Sequence, residues 1–328
     1  MCTRLVYLGP NGNVITGRSM DWKLDLATNL WALPRGMRRN GQVGANSITW
    51  TAKYGSVVAT AYDVCTTDGL NEAGLSANLL WLAESQYPHY DGSRPGLTIA
   101  AWAQYVLDNF ATVAEAVEAL AAERFDVVTD GVPGEERLAT LHLSISDATG
   151  DSAIVEYIAG RQVIHHSRDY QVMTNSPTFD SQLAINAYWE QLGGTVMLPG
   201  TNRAADRFAR ASFYVNAIPK TDDPKIALAS VLSVVRNVSV PFGISTPGEP
   251  NISSTRWRTV VHHSRNLYFF ESALTPNVFW VDLNNLDLTA GAAVRKLDLG
   301  REESNTFAGE SSAEFAVTEP FTFLGITT

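Results

Sequence analysis

The chain opens on two β-rich runs, "TRLVYLG" and "NVITGRSMD", either side of Pro10-Asn11-Gly12. Asn-Gly between such runs is a strong hairpin signal, because both residues tolerate the positive φ of a tight hairpin turn. A lone hairpin is barely stable in water, so these strands need a wider sheet and a covering layer from the rest of the chain. No Pro/Gly/Ser linker divides the 328 residues and no internal repeat is present. The hairpin has no separate core partner, so the expectation is one domain spanning residues 1–328.

The following blocks supply the layers. "GSVVATAYD" (55–63) and "GLSANLLWL" (74–82) read as strands. "LTIAAWAQYVLDNF" is apolar at helical spacing, and Thr112 opens "TVAEAVEALAAE" with Glu115 three residues on, a capping-box pattern. Strands return in "LATLHLSISD", "GDSAIVEYIAG", "RQVIHHS" and "YQVMTNS". A second helical block contains "AADRFARASFYVNAI" and a helix with Asp223 as N-cap and Pro224 at its first position. The end is β again, in "RWRTVVHHS", "NLYFFESA" and "NVFWVDL". This order predicts an α+β layered fold with helices segregated from antiparallel sheets.

A net charge of −10 disfavours nucleic acid and anionic membranes as partners. The longest apolar stretches, such as "IALASVLSVV", are too short to span a bilayer. Thr3, Arg4, Gly9, Pro10 and Asn11 interrupt the opening before an apolar signal region forms. As it stands the chain reads as cytoplasmic; with a leader trimmed from it, as periplasmic. Two cysteines, Cys2 and Cys65, make no disulfide framework.

Cys2 directly follows Met1. A thiol attacks as its thiolate and needs a base. An N-terminal residue carries one, since the α-amine titrates at about 7.7–8.0, close to a thiol at about 8.5. Removal of Met1 would leave nucleophile and base on one residue. Taken alone, Cys2 reads first as a small residue after the initiator. With a two-residue Asn11-Gly12 turn, position 2 lies opposite position 21. Arg18 can then stabilise a thiolate and Asp21 can hold an α-ammonium. A regular strand puts 18 and 21 on opposite faces, so both reach Cys2 only if the strand bends, bulges or ends between them. Surface roles for both remain open from this segment alone.

His165-His166 and His262-His263 each fall in an expected strand, where neighbours face opposite ways, so neither pair chelates one ion. No HExxH or CxxC pattern supports zinc, and no metal or other cofactor is expected. "GSRPG" and "GTNRA" are not nucleophile elbows. His142 reads as a packed sheet histidine and Cys65 as a buried small side chain.

Several long motifs occur in one order: "MCT", "GRSMDW" (17–22), "DGLNEAGL" (68–75), "MTNSPTFD" (173–180), "LPGTNRAADRFAR" (198–210) and "STRWRTV" (254–260). In these the chain resembles the choloylglycine hydrolase family of N-terminal nucleophile hydrolases, which contains bile salt hydrolases and penicillin V acylases. "GRSMDW", "LLWLAES" and "TNRAADRF" look most like its Gram-negative acylase branch. The resemblance implies a four-layer αββα sandwich of two antiparallel sheets between helical layers. It implies Cys2 as nucleophile, Arg18 and Asp21 as site residues, and Arg207 as a second site arginine. It implies an oxyanion hole of the Asn175 side chain and the backbone N–H at Trp81, where other members carry Asn or Tyr. Trp22 and Trp81 stand at or beside site positions and are candidates to line an acyl pocket. The implied activity is hydrolysis of a small-molecule, non-peptide amide. Penicillin V, N-acyl homoserine lactones (hence quorum quenching) and conjugated bile salts compete as substrates. A ligand-binding protein with a vestigial site is the alternative of another class. Members are commonly homotetramers, and the stretch between Asn175 and Arg207 is short beside the assembly loop of the bile-salt enzymes.

Overall fold

The computed structural model describes residues 1–133, 137–244, 253–275, 277–300 and 306–326. Strand β1 (Cys2–Leu8) and strand β2 (Val14–Asp21) form the expected hairpin. Its loop is longer than two residues. Pro10–Gly12 make a 3-10 turn with Asn11 at φ 54° and Gly12 at φ 73°, and the Asn13 N–H donates to the Pro10 carbonyl at 3.0 Å. The longer loop moves the register by one, so Cys2 lies opposite Met20 rather than Asp21, and Arg4 opposite Arg18. Asn-Gly announces the turn but not how many residues flank it.

The hairpin sits inside a seven-stranded sheet. Val172–Met173 borders β1; beyond β2 run Thr255–His262, Leu267–Ser272, Val278–Asp282 and Gly309–Glu310. Only the short 309–310 strand pairs parallel. A second, antiparallel sheet of nine strands runs in the order 161–166, 152–158, 141–146, 76–81, 65–71, 56–61, 30–33, 295–297 and 316–317. Helices α1 (Trp102–Asn109) and α2 (Val113–Ala121) cover its outer face. On the far side of the seven-stranded sheet lie α3 (Phe179–Leu192), α4 (Ala204–Ala217) and α5 (Pro224–Asn237), with α4 and α5 on the hairpin and α3 on α4. This is the expected αββα order. No helix among the described residues is long and apolar enough to cross a membrane.

Local signals explain the elements. Thr112 Oγ1 caps α2 by accepting the Glu115 N–H at 3.2 Å, while Glu115 reaches back to the Ala111 N–H at 2.9 Å. Asp223 caps α5 at the N–H groups of Lys225 and Ile226. Gly17 lets α5 lie close on β2, since a Cβ there would stand 2.5 Å from Val235 Cγ2. Gly69 does the same for α1, where a Cβ would meet Leu107 Cδ1 at 2.7 Å. The strand Cys65–Asn71 and helix α3 are the largest elements absent from the sequence expectation. The first hides because Asp68, Gly69 and Asn71 interrupt its apolar pattern although all are buried.

The histidine pairs separate. His165 faces Glu156 and His166 faces Asp151. His262 ends its strand, whereas His263, expected in that strand, begins the 3-10 turn His263–Arg265. The Gly74 carbonyl, 2.8 Å from His263 Nδ1, can only accept, so Nδ1 carries the hydrogen and Nε2 accepts from Thr16 at 2.7 Å. Burial outweighs that Gly74 bond and holds the ring's pKa down to about 4. The unfolded chain therefore protonates first as pH falls. This residue's contribution is complete above about pH 6.5 and is lost towards pH 4, on the order of 3 kcal/mol. Melting curves from pH 7 to 4 should show Tm falling faster in the wild type than in His263→Asn. Parallel falls would mean that another group carries the acid sensitivity.

Candidate active site

In the hairpin, even-numbered residues point between the sheets and odd-numbered ones towards the helices. Arg4, Thr16 and Arg18 thus bond the nine-stranded sheet, and Thr3 bonds α4. Cys2 belongs to the inner set. Its Sγ lies 3.7 Å from Arg18 Nη2 and 3.7 Å from Met20 Sδ. Arg18 is fully buried. Its Nη2 donates to the Leu79 carbonyl at 2.9 Å, its Nη1 stands 3.4 Å from Asp68 Oδ2, and its guanidinium lies 4.7 Å from the Trp257 ring centre. Asp68 balances the charge and is itself fixed. It accepts from Tyr268 Oη at 2.5 Å, Asn78 Nδ2 at 2.7 Å and Thr259 Oγ1 at 3.3 Å. Sequence reasoning missed Asp68 as a site residue. Its signal was present: a charged residue opening the "DGLNEAGL" motif.

Asp21 stands on the other side. Strand β2 ends there, and the neighbouring strand breaks register between Thr255 and Trp257. Thr255 Oγ1 donates to Asp21 Oδ1 at 2.6 Å, and Arg207 Nη1 lies 3.9 Å from Oδ2. Arg18 and Asp21 therefore flank Cys2 from opposite faces, one at the sulfur and one beside the chain terminus. Arg207, fully buried on α4, donates to the Cys2 carbonyl at 2.6 Å, to Thr3 Oγ1 at 2.5 Å and to Asn175 Oδ1 at 2.7 Å. Asn175 Oδ1 also accepts the Cys2 N–H at 2.6 Å. The Met1 amine donates to the Asp21 carbonyl at 2.7 Å. Burial pulls the pKa of that amine down, against the charges of Cys2 and Asp21 and with those of Arg207 and Arg137.

Trp81 lies on the strand Ser76–Trp81. The Leu82 N–H donates to the Thr140 carbonyl at 2.9 Å, so the peptide groups of Leu79 and Trp81 turn the other way, towards the 65–71 strand. Pairing with that strand stops at Asp68 opposite Asn78. In the gap beyond, the Leu79 carbonyl takes Arg18 and the Trp81 carbonyl takes Asn175 Nδ2 at 2.6 Å. The Trp81 N–H faces the same gap. One hydrogen of the Asn175 amide is committed there, and its second has no acceptor among the described residues.

Cys2 forms part of the wall of an apolar pocket shared with Met20, Trp22, Tyr62, Trp81 and Val132. The ring centres of the two indoles lie 5.3 Å apart with their planes tilted by 47°, and the Arg137 guanidinium lies 4.2 Å from the Trp81 ring centre. Cys65 lines the same pocket, but burial pushes its thiol up to about 12.

The structure thus gathers Cys2, Arg18, Asp21, Trp22, Trp81, Asn175 and Arg207 in one place. Residues 2–300 match the linear amide C–N hydrolases, choloylglycine hydrolase family. The chain belongs to this family. Among choloylglycine hydrolases it is 57% identical to a penicillin V acylase of Pectobacterium atrosepticum, over 99% of this chain and 92% of that one. The structure of penicillin V acylase from Agrobacterium tumefaciens superposes with a TM-score of 0.94 at 66% identity, covering 99% of this chain and 100% of the other. The C2A mutant of conjugated bile acid hydrolase from Clostridium perfringens is more distant, with a TM-score of 0.77 and 25% identity over 90% and 96% of the two chains.

Proposed function

We propose that the protein is a penicillin V acylase that also cleaves N-acyl homoserine lactones, with Cys2 as nucleophile once Met1 is removed. The observation that carries this reading is the convergence of buried polar groups on Cys2 at the wall of an apolar pocket. While Met1 is attached, the Cys2 nitrogen is an amide and cannot act as base. Once freed, it is an amine beside Asp21 and Arg207, in surroundings that already hold the Met1 amine below its usual pKa.

The steps follow from the positions. The amine takes the thiol proton as sulfur attacks the amide carbon. The new C–S bond leaves negative charge on the carbonyl oxygen. The free hydrogen of Asn175 Nδ2 and the Trp81 N–H receive that charge, and Arg18 stabilises the sulfur. The α-ammonium returns the proton to the leaving nitrogen as the C–N bond breaks. Water then attacks the thioester with the same amine as base, releasing acid and thiol. Asp21 holds the α-ammonium through each turn, and Arg207 fixes the Cys2 carbonyl and Asn175.

The similarity to two penicillin V acylases supports the substrate class, and the pocket supports it physically. Two indoles packed against each other beside the nucleophile suit a planar phenoxyacetyl group or a slim alkyl chain and crowd a broad steroid. Cleavage of acyl homoserine lactones would make the enzyme quorum-quenching. Homotetrameric assembly is supported by apolar surface at Ile185, Tyr188, Val196 and Met197, on α3 and the loop after it.

The test is kcat/KM for penicillin V, a long-chain acyl homoserine lactone and a glycine- or taurine-conjugated bile salt on one preparation. The first two should be cleaved much better than the third. A preference for bile salts of about tenfold, or 1.4 kcal/mol in transition-state binding, would refute the indole argument and leave the nucleophile untouched. A ligand-binding protein with an inert site would turn over none of them, and a thiol reagent would then modify Cys2 no faster than Cys65.

A further inference from the structure

Asn175 hangs from a turn gripped from beneath by buried polar side chains. Gln182 of α3 donates to the carbonyls of Asn175 at 3.2 Å and Ser176 at 3.0 Å. His142 Nε2 lies 3.0 Å from the Thr174 carbonyl, and its Nδ1 lies 3.1 Å from Glu156 Oε1. Glu156 also accepts the N–H of Phe179, the first residue of α3, at 3.1 Å. One carboxylate therefore holds segment 174–179 at both ends, through His142 at Thr174 and directly at Phe179. Only 1% of Glu156 and 2% of His142 is exposed.

The Thr174 contact fixes one hydrogen. A carbonyl only accepts, so His142 Nε2 carries a hydrogen. Burial alone would raise the Glu156 carboxyl, but bonds from His142 and His165, the charge of His142 and the Phe179 N–H outweigh it and bring it to about 2. Glu156 is thus ionised and accepts at these contacts. A buried carboxylate tied to a histidine is a poor way to gain stability, because apolar residues of equal volume often serve as well. What it does supply is a fixed direction for the turn.

We propose that Glu156 is a positioning residue for Asn175, acting through His142 and the start of α3 to aim the amide at the developing oxyanion. The proposal rests on the reading of Asn175 as oxyanion donor. A donor displaced by about 1 Å can lose much of its effect, up to roughly 100-fold in rate.

The test is a double-mutant cycle on penicillin V hydrolysis, with kcat expressed per thiol titrated at Cys2. Glu156→Gln keeps shape and acceptor oxygen but removes the charge. It should lower kcat about tenfold or more with KM nearly unchanged. In the Asn175→Ala background the same change should cost less than about twofold, because the group it aims is gone. Alkylation of Cys2 by iodoacetamide, which needs no oxyanion hole, should keep its wild-type rate. Gln182→Met, which alters only the grip on the same turn, should repeat the pattern and serves if Glu156→Gln does not fold. Equal losses in both backgrounds, or an alkylation rate that falls with kcat, would overturn the positioning role alone. An unchanged kcat in Asn175→Ala would overturn the oxyanion reading and the positioning role with it.

Discussion

Cys2→Ala is expected to abolish amide hydrolysis and leave the fold in place. The substitution removes one sulfur, whose described contacts are Arg18 Nη2 and Met20 Sδ, both at 3.7 Å. The strand pairing of β1, the Arg207 bond to the Cys2 carbonyl and the α-amine all survive it. With no sulfur there is no C–S bond and no acyl-enzyme, and the amine alone does not attack an amide at a useful rate. Circular dichroism should match the wild type while turnover falls below detection. Retained hydrolysis would move the chemistry to another residue, and Cys65, with its thiol pushed up to about 12, is a poor candidate.

Asn175→Ala is the second large effect. The amide is tied to Cys2, Arg207 and Trp81 through both of its heavy atoms, so its free hydrogen points in a set direction. An oxyanion donor bonds the tetrahedral state better than the ground-state carbonyl, so its loss appears in kcat rather than in substrate binding. A fall on the order of 10²-fold or more is expected, measured by steady-state kinetics on penicillin V. An unchanged kcat would return Asn175 to a structural role in its turn.

The layered architecture was legible because periodicity, caps and turn residues act locally. Thr112, Asp223 and Pro224 each announce a helix start with their immediate neighbours, and all three sit where expected. Register was not legible, because it depends on how many residues the hairpin loop consumes. That one residue separates Cys2 opposite Asp21 from Cys2 opposite Met20. The candidate site residues stand in long motifs, but the motifs do not say which face each residue takes. Arg18 and Asp21 are three apart and flank Cys2 from opposite sides, which only the end of β2 and the break at Thr255 reveal. Asp68 and Glu156 were missed because each acts across the fold, on partners 50 and 23 residues away, and Gln182 because helix α3 itself was not expected. A buried charge inside an expected strand, as at Glu156, is the sequence signal that such a network exists.

Mixing the active protein with penicillin V, quenching in acid and mapping the peptides by mass spectrometry tests the N-terminal cysteine mechanism most directly. The expected result is an N-terminal peptide that begins at Cys2, lacks Met1 and carries the mass of one phenoxyacetyl group on the cysteine. An acyl group on any other residue, or full activity in protein that still carries Met1, would contradict it.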